Sequence, residues 1–474
     1  MAEKQQESTE IYIEAMELMT PSTTLKLNEM FVVFNIYENM FQDAVTADMM
    51  VNDSINLPTK APLLGEEYLN IILSNRSLAG LADETSLNPG PMYVRSISDR
   101  YISKDRQQVY MLNFTSEASV INSNTTISQS FRDKKISEIV ETILEDYVDV
   151  DGSGNDFVIE DTVGVETIVI PNWKPFKALN WLAKRAVNSS GVPNYLFWET
   201  SGITYFKSVD SLMKQPPSQR FVFSPVVAKS DVLKALEQGR THCTDLSVEQ
   251  QYDTLRNTNN GYYASKLLTH DIVKKEIKQH TYGLNMAFDP SITHTDDYMP
   301  LSASSTTFTV QDRNNFAPRG IVGKDGEMMQ SYYDSSVKFY PKHDRLYSKT
   351  KSDKYDNTVE DWKLRRNALI LGLDQIKLTL TFPGLSYLKV GQIIDLIVPS
   401  PERVIEHKPG MPANIEELKD NYLTGRYLIV ALKHTISVSD NQKFEYTMMA
   451  DVVKDALPLP PVYYDGNNKK GGKS

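Results

Sequence analysis

Ile376-Lys-Leu-Thr-Leu-Thr-Phe382 alternates apolar and polar residues without a break. Successive side chains of a strand point to opposite faces, so a period of two predicts a strand with one face buried and the other toward water. A helix is predicted just before it, near residues 359–372, and further strands after it at 392–398, 427–436 and 444–449. The same texture runs from Leu25 to Val120. Met30-Phe-Val-Val-Phe-Asn-Ile-Tyr37 and Val109-Tyr-Met-Leu-Asn-Phe114 are rich in β-branched and aromatic residues. Turn residues separate such runs at Asn56-Leu-Pro58, Pro62-Leu-Leu-Gly65 and Asn88-Pro-Gly-Pro91. Short strands at this spacing predict a small antiparallel barrel or sandwich.

Between the two β-rich parts the period changes. Ile136, Ile139, Val140, Ile143, Leu144 and Tyr147 recur at helical spacing and form one face of an amphipathic helix. A second helix is predicted to start at Pro175, where a missing N–H costs nothing, with Phe176, Leu179, Leu182, Ala183 and Ala186 as its buried stripe. Tyr195–Glu199 and Ile203–Lys207 flank Thr200-Ser-Gly202 and read as a hairpin. The expected fold class is α+β and mostly β: two antiparallel β-rich domains flank a small α/β domain, with a peripheral loop-rich domain added. The expected boundaries are an N-terminal arm at 1–24, a first β domain, barrel or sandwich, at 25–120 and the α/β domain at 121–220. The second β domain then takes 221–286 and 358–456, with a helical stretch near 229–238 and a Pro/Glu-rich loop at 400–420. A polar insert occupies 287–357, and a proline-rich, then basic, tail occupies 457–474.

Composition bounds the function. The 474 residues carry 50 Lys+Arg against 61 Asp+Glu, a formal charge of −11. An acidic chain is poorly suited to gripping nucleic acid by its phosphates, which needs clustered cations. The single cysteine, Cys243, cannot form an internal disulfide, so the fold is expected to mature in a reducing compartment. No apolar run reaches the length of a membrane span, and the polar N-terminus does not read as a signal peptide.

A search for chemistry finds little. The seven histidines form no His-Glu-x-x-His pair, and there is no nucleophile elbow, phosphate loop or dinucleotide turn. His242-Cys243 suits neither a metal pair nor a nucleophile–base pair without a third group, so a buried thiol is expected. Glu66-Glu67 could serve a glycosidase, but adjacent carboxylates are common among 61. Lys266, Lys274, Lys275 and Lys278 lack interleaved aromatics and read as a solvated face. One local match remains. Asp149, Asp151, Ser153 and Glu160 fall at calcium-loop spacing with Gly154 at the turn position, although Asp156 stands where an apolar anchor is usual. An Asp/Gly turn is the plainer reading. No catalytic, cofactor or metal residue is therefore assigned.

Three stretches together resemble the central baseplate hub proteins of contractile-tailed phages and related injection machines. The first is Thr46-Ala-Asp-Met-Met-Val-Asn-Asp53-Ser-Ile-Asn-Leu-Pro58 with Pro62-Leu-Leu-Gly65-Glu66-Glu67, similar to that family's first tube-domain barrel. The second is Phe131–Leu144 leading to Ile170-Pro-Asn-Trp173-Lys-Pro175-Phe176-Lys-Ala-Leu-Asn-Trp181, similar to its small α/β domain. The third is Leu378-Thr-Leu-Thr-Phe-Pro383-Gly384 with Leu388-Lys-Val-Gly391 and Leu423-Thr-Gly425-Arg-Tyr427 through His434, similar to the end of its second barrel. The 287–357 insert and the 400–420 loop depart from the pattern.

The resemblance implies a structural protein rather than an enzyme. It implies a homotrimer whose two barrels per chain make a pseudo-sixfold ring. That ring joins a hexameric tail tube protein to a trimeric central spike protein, contacts other baseplate wedge proteins, and leaves a channel through which DNA passes without specific binding. It places the chain in a virion tail baseplate assembled in the host cytoplasm, with no membrane insertion and no cofactor. Rival readings are a tail-associated cell-wall-degrading enzyme and a carbohydrate-binding adhesin, the latter motivated by 25 tyrosines.

Overall fold

The computed structural model describes residues 11–21, 23–60, 63–74, 86–104, 107–149, 156–200, 202–223, 241–250, 253–283, 293–296, 333–342, 359–400, 419–438 and 444–458. The chain is mostly β. Its main sheet has 15 strands, and a two-stranded and two three-stranded sheets stand beside it. Ile376–Pro383 is a strand whose side chains alternate buried and half-buried along its whole length, as its sequence predicts. It pairs antiparallel with Phe444–Lys454, which pairs in turn with Gly425–Val438.

Gly425–Val438 organises the sheet. Its 14 residues span about 45 Å at the usual rise, enough for two strands end to end on one edge. Ile393–Ile397 takes the first part of that edge and Phe31–Asn39 the second. The first β-rich half then continues from Phe31–Asn39 through Thr46–Asp53, Gln107–Ser116, Met92–Lys104, Tyr68–Ser74 and Tyr12–Met19. The two halves are thus fused through one strand, and among the described residues no closed barrel forms. Among the described residues the two β-rich halves expected as barrels share this one sheet, because a long strand offers an edge to both of them.

The expectation of purely antiparallel strands is also corrected. Gln219–Phe223 pairs parallel with both Thr241–Cys243 and Ile393–Ile397. Strands far apart in the chain need no hairpin, so either direction is available to them.

Other segments differ from the sequence reading. Tyr12–Met19, inside the stretch expected as an arm, is a strand that pairs with Tyr68–Ser74, and Met16 and Leu18 are buried. Within the expected polar insert, Val337–Pro341 is a strand paired parallel with Ala264–Asp271. That sheet packs on the helix Val359–Gly372 through Leu267, Tyr282, Trp362 and Leu364. Residues 293–296 are also tied into the main body. Thr295 donates from N and Oγ1 to Asp455 at 3.0 and 2.9 Å, His294 Nδ1 lies 2.6 Å from the same carboxylate, and Thr293 N donates to Asp210 at 2.8 Å. The expected helix near 229–238, most of the 400–420 loop and nearly all of the C-terminal tail fall outside the described residues.

The α/β unit follows its sequence closely. Ile136, Ile139, Val140, Ile143 and Leu144 are all buried on the helix Ile136–Tyr147. Pro175 opens the helix Pro175–Ala183, whose Phe176, Leu179 and Leu182 face the same core. Tyr195–Thr200 pairs with Ile203–Ser208, and Gly202 takes a φ of 74° in the tight turn between them.

A buried polar seam fastens this unit to the main sheet. Glu199 Oε2 accepts from Val45 N at 3.1 Å and from Ser116 Oγ at 2.5 Å. Thr200 Oγ1 donates to Glu38 Oε2, which lies 3.8 Å from His434 Nε2. His434 Nδ1 is 2.7 Å from the Tyr446 hydroxyl. Glu38, Thr200, His434 and Tyr446 are all essentially inaccessible to water. Buried polar groups are tolerated only with partners, so this seam selects one docking geometry for the two units.

Candidate interaction surface

The first stretch of the resemblance builds a surface feature. Asp53 ends the strand Thr46–Asp53 and is fully buried. Its Oδ1 accepts from Ile55 N at 2.8 Å. Its Oδ2 accepts from Leu57 N at 2.7 Å, Gln108 Nε2 at 2.9 Å and the Tyr110 hydroxyl at 3.3 Å. One carboxylate therefore folds the turn over itself and locks it to the neighbouring strand. Asn56 has a φ of 58°, a left-handed conformation that asparagine tolerates. Its Oδ1 accepts from Gln108 Nε2 at 3.0 Å and Thr59 Oγ1 at 3.1 Å. Burial, then the charge of Asp53 and the bond to it, pushes the Tyr110 phenol well above its ordinary pKa, so it stays a donor.

Asp53→Asn keeps one oxygen and replaces the other by a group that cannot accept. At least one donor loses its partner, so a loss of about 1–2 kcal/mol in chemical denaturation is expected. An unchanged midpoint would show that the turn does not depend on this carboxylate.

The glutamate of the same stretch is also structural. Glu67 is buried, and its two carboxylate oxygens accept from Leu64 N and Gly65 N, each at 2.9 Å. Gly65 has a φ of 96°, which favours glycine. Glu66 is exposed, so the adjacent pair does not form two carboxyls facing one substrate.

Between this turn and the hairpin of Met92–Lys104 and Gln107–Ser116 lies a cavity of about 450 Å³. Its wall includes Ile55, Asn56, Lys60, Arg100, Ile102 and Gln108. Arg100 Nε donates to Gln108 Oε1 at 2.9 Å and Nη2 to Asn56 Oδ1 at 3.4 Å, which holds the guanidinium in place. Ile102 is 81% exposed and Ile55 44% exposed. Two exposed isoleucines, a held guanidinium and the Lys60 ammonium thus share one preformed wall.

The second stretch explains its tryptophans. Trp173 and Trp181 meet edge-on at 5.5 Å, with Lys177 over the first ring and Arg185 over the second. Asn180 Nδ2 donates to Asp43 at 2.7 Å and ties the helix to the main sheet. In the third stretch three glycines are required by geometry. A Cβ on Gly384 would lie 1.9 Å from the Tyr446 ring, and one on Gly425 would lie 2.5 Å from Asp296 Oδ2. Gly391 adopts a φ of 93°.

The other sequence candidates are dispersed. Of the calcium-loop residues, Asp151 and Ser153 lie outside the described residues. Glu160 accepts from Ser208 N at 2.7 Å, Ser208 Oγ at 2.9 Å and Ser211 Oγ at 2.7 Å, so its carboxylate is engaged at another turn. Cys243 is buried with its thiol 2.9 Å from the Asp245 carbonyl, and burial pushes the thiol up to about 12. Lys266 pairs with Asp334 and Lys278 with Glu276. Among the described residues no helix is long and apolar enough to cross a membrane, and no group of three or more His, Cys, Asp and Glu is placed to hold a metal ion. The seam at Glu38, Glu199 and His434 was not visible in the sequence, because nothing local marks carboxylates whose partners lie 83 to 396 positions away.

No family model matches the chain, and no curated protein matches it either. Solved structures do. The tail protein from Neisseria meningitidis MC58 is similar over 94% of this chain and 99% of its own, at 10% identity and a TM-score of 0.51. The 43 kDa tail protein of prophage MuSo2 from Shewanella oneidensis has the same coverage and identity with a TM-score of 0.49. The phage P2 baseplate in its activated conformation is similar over 92% of this chain and 91% of its own, at 8% identity and a TM-score of 0.29. The sheet fused through Gly425–Val438 and the α/β unit docked on it thus share the fold of the Neisseria meningitidis tail protein.

Proposed function

We propose that this chain is a structural hub of a contractile-tail baseplate. Three copies form a pseudo-sixfold ring, each contributing two β-rich halves. The ring joins the hexameric tail tube on one side to the trimeric central spike on the other, and other baseplate proteins attach around it. The observation that carries this reading is the extent of the fold similarity, 94% of this chain against 99% of a tail protein. The presence of two β-rich halves, joined through Gly425–Val438, also supports it, because three copies then supply six β units to a sixfold tube. In this reading each half closes toward a barrel within the ring. The role is structural, since what the motif residues do is fold turns and seams, and it places the chain in the virion.

The acidic balance supports a conduit. Three copies of a −11 chain carry −33. A lumen of that sign repels phosphate and lets DNA pass without sticking. Sedimentation of the purified full chain tests the assembly. A species of three times the 53.8 kDa chain mass is expected, alone or on mixing with tube or spike. A monomer under all of these conditions overturns the hub reading.

A further inference from the structure

We infer that the cavity beside Asp53 is a docking pocket for an acidic segment of another protein, one that inserts an aliphatic side chain flanked by a carboxylate. The walls dictate both halves of that description. Ile55 and Ile102 offer apolar surface on a cavity of about 450 Å³, large enough for one branched side chain and its neighbours. Lys60 and Arg100 supply positive charge on the same wall. The carboxylate that lines it, Asp53, is buried and accepts four hydrogen bonds from within the chain, so it does not present a free acceptor to a visitor.

Arg100 is held by Gln108 and Asn56 before any partner arrives. A guanidinium fixed in advance loses little side-chain freedom on binding, which favours recognition of a carboxylate. Two cations beside two exposed isoleucines are complementary to an acidic segment that carries an aliphatic side chain. This inference does not depend on ring formation.

The test uses the full chain and two synthetic peptides with a free-standing label, Gly-Glu-Glu-Leu-Glu-Glu-Gly and its lysine counterpart, read by fluorescence anisotropy. Saturable binding of the glutamate peptide alone is expected. Ile102→Asp removes an exposed side chain without touching the core, and Arg100→Glu reverses the fixed charge. Each is expected to weaken binding by about tenfold or more, the loss typical of an interface anchor. Absence of saturable binding, equal binding of the lysine peptide, or unaltered binding by both variants overturns the inference. Sedimentation of Ile102→Asp closes the remaining alternative: its assembly state should match that of the unaltered chain, and dissociation would make a second copy the occupant and overturn the assignment to another protein.

Discussion

Gly384→Ala is expected to lower stability by about 3 kcal/mol or more, beyond the usual cost of overpacking a core. The added Cβ would stand 1.9 Å from Tyr446 Cδ1 and 2.2 Å from Cγ. The ring cannot swing away cheaply. Tyr446 is fully buried, its hydroxyl meets His434 Nδ1 at 2.7 Å, and its carbonyl accepts from Gly384 N at 2.9 Å. Displacing it breaks the seam that carries Glu38 and the α/β unit. Gly90→Ala is the matched control: Gly90 has a φ of 80° but nothing within 4 Å of an added Cβ, so it bears strain without a clash. Denaturant titration should give a clearly larger loss for position 384 than for position 90. Equal losses would mean that the ring gives way. Combining Gly384→Ala with Tyr446→Ala should cost less than the sum of the two, since the second change removes the atoms that clash.

The second large effect is a pH dependence centred on Glu199. Burial is the main cause that pushes its carboxyl up to about 7 from 4.5, with Glu38 adding to it and the bonds from Ser116 and Val45 opposing it. In the unfolded chain the group ionises near its ordinary value. Between those two pKa values the folded chain holds a proton that the unfolded chain has released, so stability is present in full at low pH and falls as pH rises. The loss is on the order of 3 kcal/mol across that window, and it stops once the folded carboxyl also ionises.

Glu38, His434 and Tyr446 share the seam with Glu199, and Asp296, pushed up to about 7 by burial, titrates over the same range elsewhere. Comparison with Glu199→Gln cancels those contributions to first order. The glutamine keeps an oxygen for Val45 N and Ser116 Oγ and carries no charge. Its stability should decline less than that of the unaltered chain from pH 5 to pH 8, and at pH 8 it should be at least as stable. Parallel pH profiles would show that Glu199 ionises freely and that the seam is not desolvated.

Much of the local structure was legible. The alternation in Ile376–Pro383 and the spacing of Ile136, Ile139, Val140, Ile143 and Leu144 each specify a buried face, because backbone geometry converts period directly into facing. Asp53, Gly65 and Glu67 could be singled out as a motif, and the reason for their spacing is a set of hydrogen bonds spanning two to four residues. Gln108, Tyr110 and Arg100 complete that site from two other strands and had no local mark.

The sequence by itself determined the strand and helix faces, the α/β unit between two β-rich halves, the acidic balance and the lone thiol. All of these are properties of neighbours along the chain or of the chain's total. Only the tertiary structure decided that Gly425–Val438 serves both halves, that Gln219–Phe223 runs parallel to its partners, that Thr293–Asp296 is bonded into the main body, and that Glu38, Glu199 and His434 share one buried seam. These are pairings across tens to hundreds of residues. A strand's period shows which face it buries but not which edge it joins, and a carboxylate's need for donors does not say which distant segment supplies them.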